Sequence, residues 1–427
     1  MRFFWGLFAQ LALLVAAFAL PHHASGAVPD AADNWPQLRG PNGDGQAGGG
    51  DLPLEWSERN HVAWKTPIHD AGWSSPVIWN NQVWVTTARP DGEEMFAVCL
   101  ERETGRLLHD FKVFDVEKVE YVNPANSYAS PTSVVESGRL YVHFGTYGTA
   151  CLDTETGKIQ WTRRDLKCDH EMGPGSSLAS VGNLLVFDVD GRDTQYVVAL
   201  DKGTGQTVWK TPRSIDFSGV TPNLRKSYST PAVVEASGHL QVICPGAMGT
   251  MSYDAKTGKE LWKVRYRGWS EVMRPICDRG LVFFGTDYDH PQLWAVRLDG
   301  QGEVTETHVA WKIAERMPST PSPLLVDDLL YVVNDAGIAS CVEADTGRSV
   351  WQQRLEGNYY ASPIYGAGRI YFFARNGATM VLAPGREGRI LATNKLAGTF
   401  MATPAAAAHA FFIRSKTDLY RIDSNSR

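Results

Sequence analysis

The sequence predicts an all-β protein, an eight-bladed β-propeller of four-stranded antiparallel blades whose last blade is closed by the N-terminal strand. Three observations predict it. A turn motif typified by Ala150 to Trp161, ACLDTETGKIQW, recurs along most of the chain. A second marker, a small hydroxyl residue followed by proline, counts the same units independently, and the two ends of the chain complement one another.

The turn motif aligns on its glycine. Thr104-Gly105, Thr156-Gly157, Thr204-Gly205, Thr257-Gly258 and Thr346-Gly347 each have an acid four residues before the glycine: Glu101, Asp153, Asp201, Asp254 and Glu343. Four of them have a tryptophan four residues after it, at Trp161, Trp209, Trp262 and Trp351. The acid or threonine can hydrogen-bond the turn backbone and the glycine supplies positive φ, so each copy reads as two strands joined by a tight turn. The tryptophan falls on one face of the outgoing strand, where a large ring repeated once per unit serves packing.

The second marker opens an apolar strand at Ser75-Pro76, Ser130-Pro131, Thr230-Pro231, Thr320-Pro321, Ser362-Pro363 and Thr403-Pro404. Ser177-Leu178 and Arg274-Pro275 are degenerate members, which makes eight. The long interval from Gly258 to Gly347 spans two units, with Trp311 marking the divergent one. Four short strands in each unit of about 40 to 55 residues make a propeller blade.

The residues beyond Pro404 suffice for three strands but not for a fourth. The missing strand is at the other end, where Val62-Ala63-Trp64-Lys65 repeats Val309-Ala310-Trp311-Lys312. An N-terminal strand completing the last blade removes the open sheet edges.

Residues 1–27 carry one early positive charge, an apolar run from Phe3 to Leu20 and the small residues Ser25 and Ala27, the pattern of a secretory signal peptide. A membrane anchor is the alternative, since the run approaches the length of a span. No cysteine follows the run, so lipid attachment at a new N-terminal cysteine is not expected, and no later stretch is apolar enough to cross a bilayer. Residues 28–60 form a Gly/Pro-rich extension, expected to lie over the body with Trp35 as its anchor, and residues 61–427 form the propeller. The chain is 43% hydrophobic with a formal net charge of -6 and no long run of either sign. A large core is expected and a nucleic-acid partner is not.

The D-x-x-T-G-x-x-x-W turn with S/T-P strand starts resembles the pyrroloquinoline quinone-like (PQQ-like) repeat family over His61 to Asp423. The stretch from Trp35 to Gly45 is also similar to the leader of exported bacterial propellers bearing this repeat. The resemblance implies an eight-bladed fold but leaves chemistry open, because the family includes quinoprotein alcohol dehydrogenases and a non-enzymatic propeller lipoprotein of the outer-membrane assembly machinery. Quinoprotein dehydrogenases typically hold the quinone under a disulfide between adjacent cysteines, over a tryptophan and beside a calcium ion. This sequence has no adjacent cysteine pair. Cys99, Cys151 and Cys341 stand six residues before their turn glycines, positions suited to buried core thiols. A disulfide between Cys244 and Cys277 stays open.

Metal candidates are weaker. Asp188, Asp190 and Asp193 space three carboxylates around Gly191, and Asp287, Asp289 and His290 make a similar turn; both read as solvated polar turns, with calcium as the alternative. Cys168, His170 and Glu171 offer a sparse zinc set. No Ser-His-Asp pattern, phosphate-cradling loop or carboxylate pair stands out.

The best binding candidate comes from the markers. Trp73, Tyr128, Tyr228 and Tyr360 each stand three residues before a marker proline, so propeller symmetry gathers them around one mouth of the channel. There they meet Arg274, which replaces the small hydroxyl, with Arg267, Trp269 and Glu271 in the preceding loop. Such a ring suits an anionic or carboxylate-bearing group. The expected function is an exported, periplasmic or secreted, non-catalytic scaffold that binds a protein, peptide or glycan. The alternative is a quinone- and calcium-dependent oxidoreductase of alcohols or sugars, with Trp73 or Trp269 stacked on the cofactor and Arg274 on its carboxylate or a ring oxygen.

Overall fold

Each turn motif closes on its own acid. In the second unit the backbone and hydroxyl of Thr156 both donate to Asp153 Oδ1 at 2.8 Å, and Gly157 N–H donates to the Asp153 carbonyl at 2.9 Å. Thr204 with Asp201 and Thr257 with Asp254 repeat the arrangement. The five glycines hold φ between +68° and +71°, which is the left-handed region that a side chain resists.

These turns join the third and fourth strands in five of the eight blades, seven of them four-stranded and one five-stranded, of a computed structural model that describes Met1 and residues 34–425. The signal-peptide reading therefore falls outside the described residues. The inner strands of blades 1 to 4 are Val77–Trp79, Val134–Glu136, Ala179–Val181 and Ala232–Ala236. Those of blades 5 to 8 are Ile276–Asp278, Leu324–Val326, Ile364–Gly366 and Ala405–Ala407. The last blade closes as the chain ends predict: Val62–Pro67 pairs antiparallel with Asp418–Asp423, with Lys65 opposite Tyr420. No helix among the described residues is long and apolar enough to cross a membrane.

The repeated tryptophan joins neighbouring blades. Trp161 of blade 2 lies on Gly205 of blade 3, where an added Cβ would stand 2.6 Å from the ring, and its Nε1–H donates to the Lys202 carbonyl at 2.9 Å. Trp209 makes the same contact with Gly258 and the Ala255 carbonyl, and Trp311 with Gly347 and the Ala344 carbonyl. Trp64, on the N-terminal strand, docks on Gly105 and the Arg102 carbonyl, so closure of the last blade also fastens blade 8 to blade 1. Blade 1 uses Phe111 against Gly157 instead.

Two joints differ, each for a local reason. Between blades 4 and 5 the turn is replaced by an excursion, residues 298–308, that adds Gly302–Glu303 as a fifth strand parallel to Glu260–Arg265. Trp262 is buried beneath it and donates to Gln241 Oε1 at 3.0 Å. Between blades 7 and 8 there is no covalent turn to dock on. The extension fills that seam: Trp56 N–H donates to Asn394 Oδ1 at 2.7 Å, and the indole packs on Tyr371 and Phe411.

The first stretch of the extension, residues 35–47, crosses the central channel rather than lying over the body. Trp35, 1% exposed, exchanges backbone hydrogen bonds with Ile78 of blade 1, and the Pro36 carbonyl accepts from Val135 of blade 2. Further on, Arg39 donates to the Pro323 carbonyl beside blade 6, and Gly45 and Ala47 bond to Tyr365 of blade 7. The segment thus plugs the channel along the inner strands.

Trp209→Ala is expected to cost ~3–5 kcal/mol, and Gly258→Ala ~1–3 kcal/mol through positive φ and the clash with the ring. In equilibrium urea unfolding the double variant should lose less than the sum, because both substitutions break one contact.

Candidate functional site

Above the plug, one mouth of the channel opens as a funnel of about 530 Å³. Two tiers of side chains build its wall, one from each blade at each level. The lower tier stands two residues before each inner strand: Ser75, Thr132, Ser177 and Thr230 in blades 1 to 4, Arg274 in blade 5, and Ser322, Ser362 and Thr403 beyond. Backbone N–H groups tie this tier together. Ser75 donates to Thr132 Oγ1, Thr132 to Ser177 Oγ and Ser177 to Thr230 Oγ1; Arg274 donates to Ser322 Oγ, Ser322 to Ser362 Oγ and Ser362 to Thr403 Oγ1, all at 2.9 to 3.0 Å. Arg274 has no hydroxyl to accept, so it interrupts the series between blades 4 and 5.

The upper tier stands two residues earlier still. It supplies Trp73, Tyr228 and Tyr360, together with the smaller Ser130, Gly175, Val272, Thr320 and Met401. The loops between blades add Trp269, Tyr288 and Lys226 to the wall. Lys226 is tied by an ion pair to Glu171, 2.5 Å away.

This geometry corrects the register read from the prolines. In blades 2 and 6 the ring hydroxyl follows the proline, at Thr132 and Ser322, instead of preceding it. Tyr128 is therefore displaced by two positions, out of the funnel: it is buried, donates to the Glu120 carbonyl at 3.0 Å and meets Tyr147 edge to face. Ser130 takes the place expected for it. Trp73, Tyr228, Trp269, Arg274 and Tyr360 do come together, while Arg267 lies outside the lining. Glu271 is buried behind the wall with no hydrogen-bond partner for its carboxyl, and burial pushes its pKa well up.

The floor comes from the extension. Leu38 and Arg39 close the funnel, and Arg39 lies beside Arg274. Both arginines are buried, at 1% and 3% exposure. Arg39 Nη2 donates to the carbonyls of Asp44 at 2.7 Å and Pro323 at 2.8 Å, and Arg274 Nη1 donates to the Leu38 carbonyl. Desolvation pulls Arg39 down to about 9, offset in part by Asp44, and Arg274 down to about 10. Gly43, at φ +72°, lies against the Arg274 guanidinium, a place without room for a side chain. Arg39 is missed by repeat analysis because it lies outside every blade. Its one signal is that it is the lone lysine or arginine between Arg2 and Arg59.

The metal candidates separate. Asp188 and Asp190 end the strand Leu184–Asp190 and are buried, not solvated in a turn; both pair with the Arg213 guanidinium, at 3.2 and 2.6 Å. Desolvation raises both carboxyls despite the ion pairs. Asp193 stands apart and accepts from Asp169 N–H. Asp287 is buried and its Oδ1 accepts from Asp289 N–H, while the exposed Asp289 lies at the funnel mouth. Cys168 is buried beside His170, whose Nε2 accepts from Thr146 N–H at 3.0 Å and whose pKa burial lowers to about 4; Glu171 is taken by Lys226. Among the described residues no three such groups converge on a metal position. All six cysteines are free thiols, and five, including Cys244, are buried.

A family model described as "Outer membrane protein assembly factor BamB", of the PQQ-like repeat type, matches residues 56–304 and 193–426. The chain belongs to this family. Among curated relatives it is similar to the outer membrane protein assembly factor BamB of Moranella endobia, at 21% identity over 247 residues, 57% of this chain and 59% of the relative. The chain thus spans less than two thirds of that relative's length. Among solved structures, BamB from Moraxella catarrhalis superposes with a TM-score of 0.58 at 12% identity, over 84% of this chain and 99% of that one. Quinohemoprotein alcohol dehydrogenase from Comamonas testosteroni gives 0.64 at 10% identity, over 94% and 82%. At such identities the likeness is one of fold, and it extends equally to an assembly factor and to an enzyme.

Arg213→Leu should destabilise the protein by ~3–5 kcal/mol, because it leaves two buried carboxylates without their counter-charge. The triple variant Arg213→Leu, Asp188→Asn, Asp190→Asn should recover much of that loss in the same unfolding measurement.

Proposed function

We propose that this family member is an exported, non-catalytic PQQ-like propeller, periplasmic or secreted, that binds a protein, peptide or glycan in its funnel. One observation carries the reading: the channel is closed from within by the chain's own N-terminal segment, which turns its other mouth into a walled pocket lined by aromatic rings, hydroxyls and guanidiniums. Aromatic and arginine side chains in a concave site are the residue types that anchor ligands.

The alternative, a quinone-dependent oxidoreductase, has partial support from the same residues. Trp73 and Trp269 offer faces for a planar ring, and Arg39 and Arg274 suit its carboxylates. The remaining residues do not fit the calcium–quinone arrangement. Among the described residues no cysteine lines the funnel, and Asp289 is its one carboxylate, so neither the vicinal disulfide nor an acidic calcium set has donors there.

The readings part on turnover. The mature chain, mixed with pyrroloquinoline quinone and calcium, is expected to give no alcohol- or sugar-dependent reduction of a dye acceptor. Reduction that disappears in Arg274→Ala would establish the oxidoreductase instead. Peptide and glycan arrays probed with the labelled chain should yield ligands whose binding falls at least tenfold in Trp73→Ala and Tyr360→Ala; hits unaffected by both variants would move the binding site away from the funnel.

A further inference from the structure

The chain gives up stability at its funnel floor. Seven blades place a small hydroxyl in the lower tier, where six N–H to Oγ hydrogen bonds link neighbouring blades; blade 5 places Arg274 there, so the Thr230 N–H finds no hydroxyl to donate to. Arg39, brought in by the extension, sets a second guanidinium beside the first. Among the described residues neither forms an ion pair with a carboxylate, whereas Arg213 forms two. Arg39 Nε and Nη1 and Arg274 Nε are buried with no hydrogen-bond partner. The nearby Asp44 uses Oδ1 to accept from Gln46 N–H and touches neither guanidinium closely enough to pair. Two buried like charges that share the distant attraction of Asp44, with no paired carboxylate, oppose folding. Nothing in the packing of the blades requires an arginine in this tier, since the other seven do without.

The hydroxyls beside them complete a floor of donors. Thr132, Ser177, Thr230, Ser322, Ser362 and Thr403 each accept a backbone N–H, and none of them donates to another described residue. Their protons are thus unspent at the level where the two guanidiniums sit. A donor-rich pocket with buried positive charge is complementary to an oxyanion, because such a group accepts several charge-assisted hydrogen bonds at once.

We propose that the funnel floor is an oxyanion site, in which Arg39 and Arg274, helped by the ring hydroxyls, hold the carboxylate or phosphate end of a small ligand whose ring or sugar body rests on Trp73 and Tyr360. The proposal rests on the funnel being a binding site and names what it recognises. The positive charge comes from two different parts of the chain, so the site exists only when the extension is threaded through the closed propeller.

Calorimetry on the mature chain with glucuronate, glucose 6-phosphate and glucose tests it and tells the two oxyanions apart. At least one anionic sugar is expected to bind saturably and at least tenfold more tightly than glucose, with tenfold losses in Arg39→Gln and in Arg274→Gln and no change in Arg267→Gln. A preference for glucuronate assigns a carboxylate, and the reverse a phosphate. Arg274→Met separates recognition from folding: without anion it should melt no lower than the wild type, because an unpaired buried charge has been removed, and inorganic phosphate or citrate should no longer raise its melting temperature. Indifference to charge among the three sugars, unchanged affinity in both glutamine variants, or an Arg274→Met protein that unfolds at much lower temperature would overturn the proposal. A funnel that binds neutral peptides or glycans while ignoring these anions would overturn it too, and would leave the binding reading standing.

Discussion

The contact on which this architecture depends is a tryptophan face laid on a glycine of the next blade. The glycine does two jobs at once, holding a left-handed turn and leaving the ring room to approach, and the indole N–H finds a carbonyl in the same turn. Each blade is a small sheet that could not bury both faces alone. Docking its outer strand on the neighbour's turn fixes the angle between blades, and that angle repeated eight times determines whether the ring closes. Trp64 shows the principle most directly, since the N-terminal strand both supplies the missing edge of blade 8 and carries the ring that fastens it to blade 1.

Closure creates a channel, and a channel lined by eight inner strands is a liability unless something fills it. Here the chain fills it with its own N-terminal segment, which adds backbone hydrogen bonds to several blades and buries Trp35. The filling is one-sided. It reaches only as high as Leu38 and Arg39, and leaves above them a funnel with a floor, whose walls are made by loop residues that symmetry brings together from all eight blades. Charge gathers in this funnel in a way the blades themselves do not need. Arg213 pairs with both Asp188 and Asp190, and Lys226 with Glu171, whereas the two floor guanidiniums stand side by side and neither forms an ion pair with a carboxylate among the described residues. That juxtaposition makes the floor the part of the molecule best suited to an anion.

The repeats made most of the site legible and also produced one of its misreadings. Trp73, Tyr228 and Tyr360 were expected at one mouth of the channel because each stands at the same distance from a proline, and they are there. Tyr128 satisfied the same rule and is buried elsewhere, because blade 2 carries its ring hydroxyl after the proline. The proline is a local device that marks where a strand begins, and it tolerates a shift of two residues without altering which way side chains alternate. The hydroxyl is fixed by a hydrogen bond from the neighbouring blade, and it is the better ruler, but that bond has no signature in the sequence. The acidic turns failed for a related reason: three carboxylates close in sequence look like a ligand set until the fold shows that two of them face Arg213, which is remote from them in the motif.

The sequence by itself determined the number of blades, the turn geometry and the mode of closure, because these follow from short-range patterns of glycine, acid, tryptophan and alternation that repeat at a regular interval. The family follows from the same patterns. Only the tertiary structure decided where the extension runs, that it closes one end of the channel, and that Arg39 joins Arg274 beneath a ring of hydroxyls. Those features depend on contacts between residues hundreds of positions apart, made by a segment that has no periodicity of its own, and burial without a paired carboxylate is a property that no local pattern encodes.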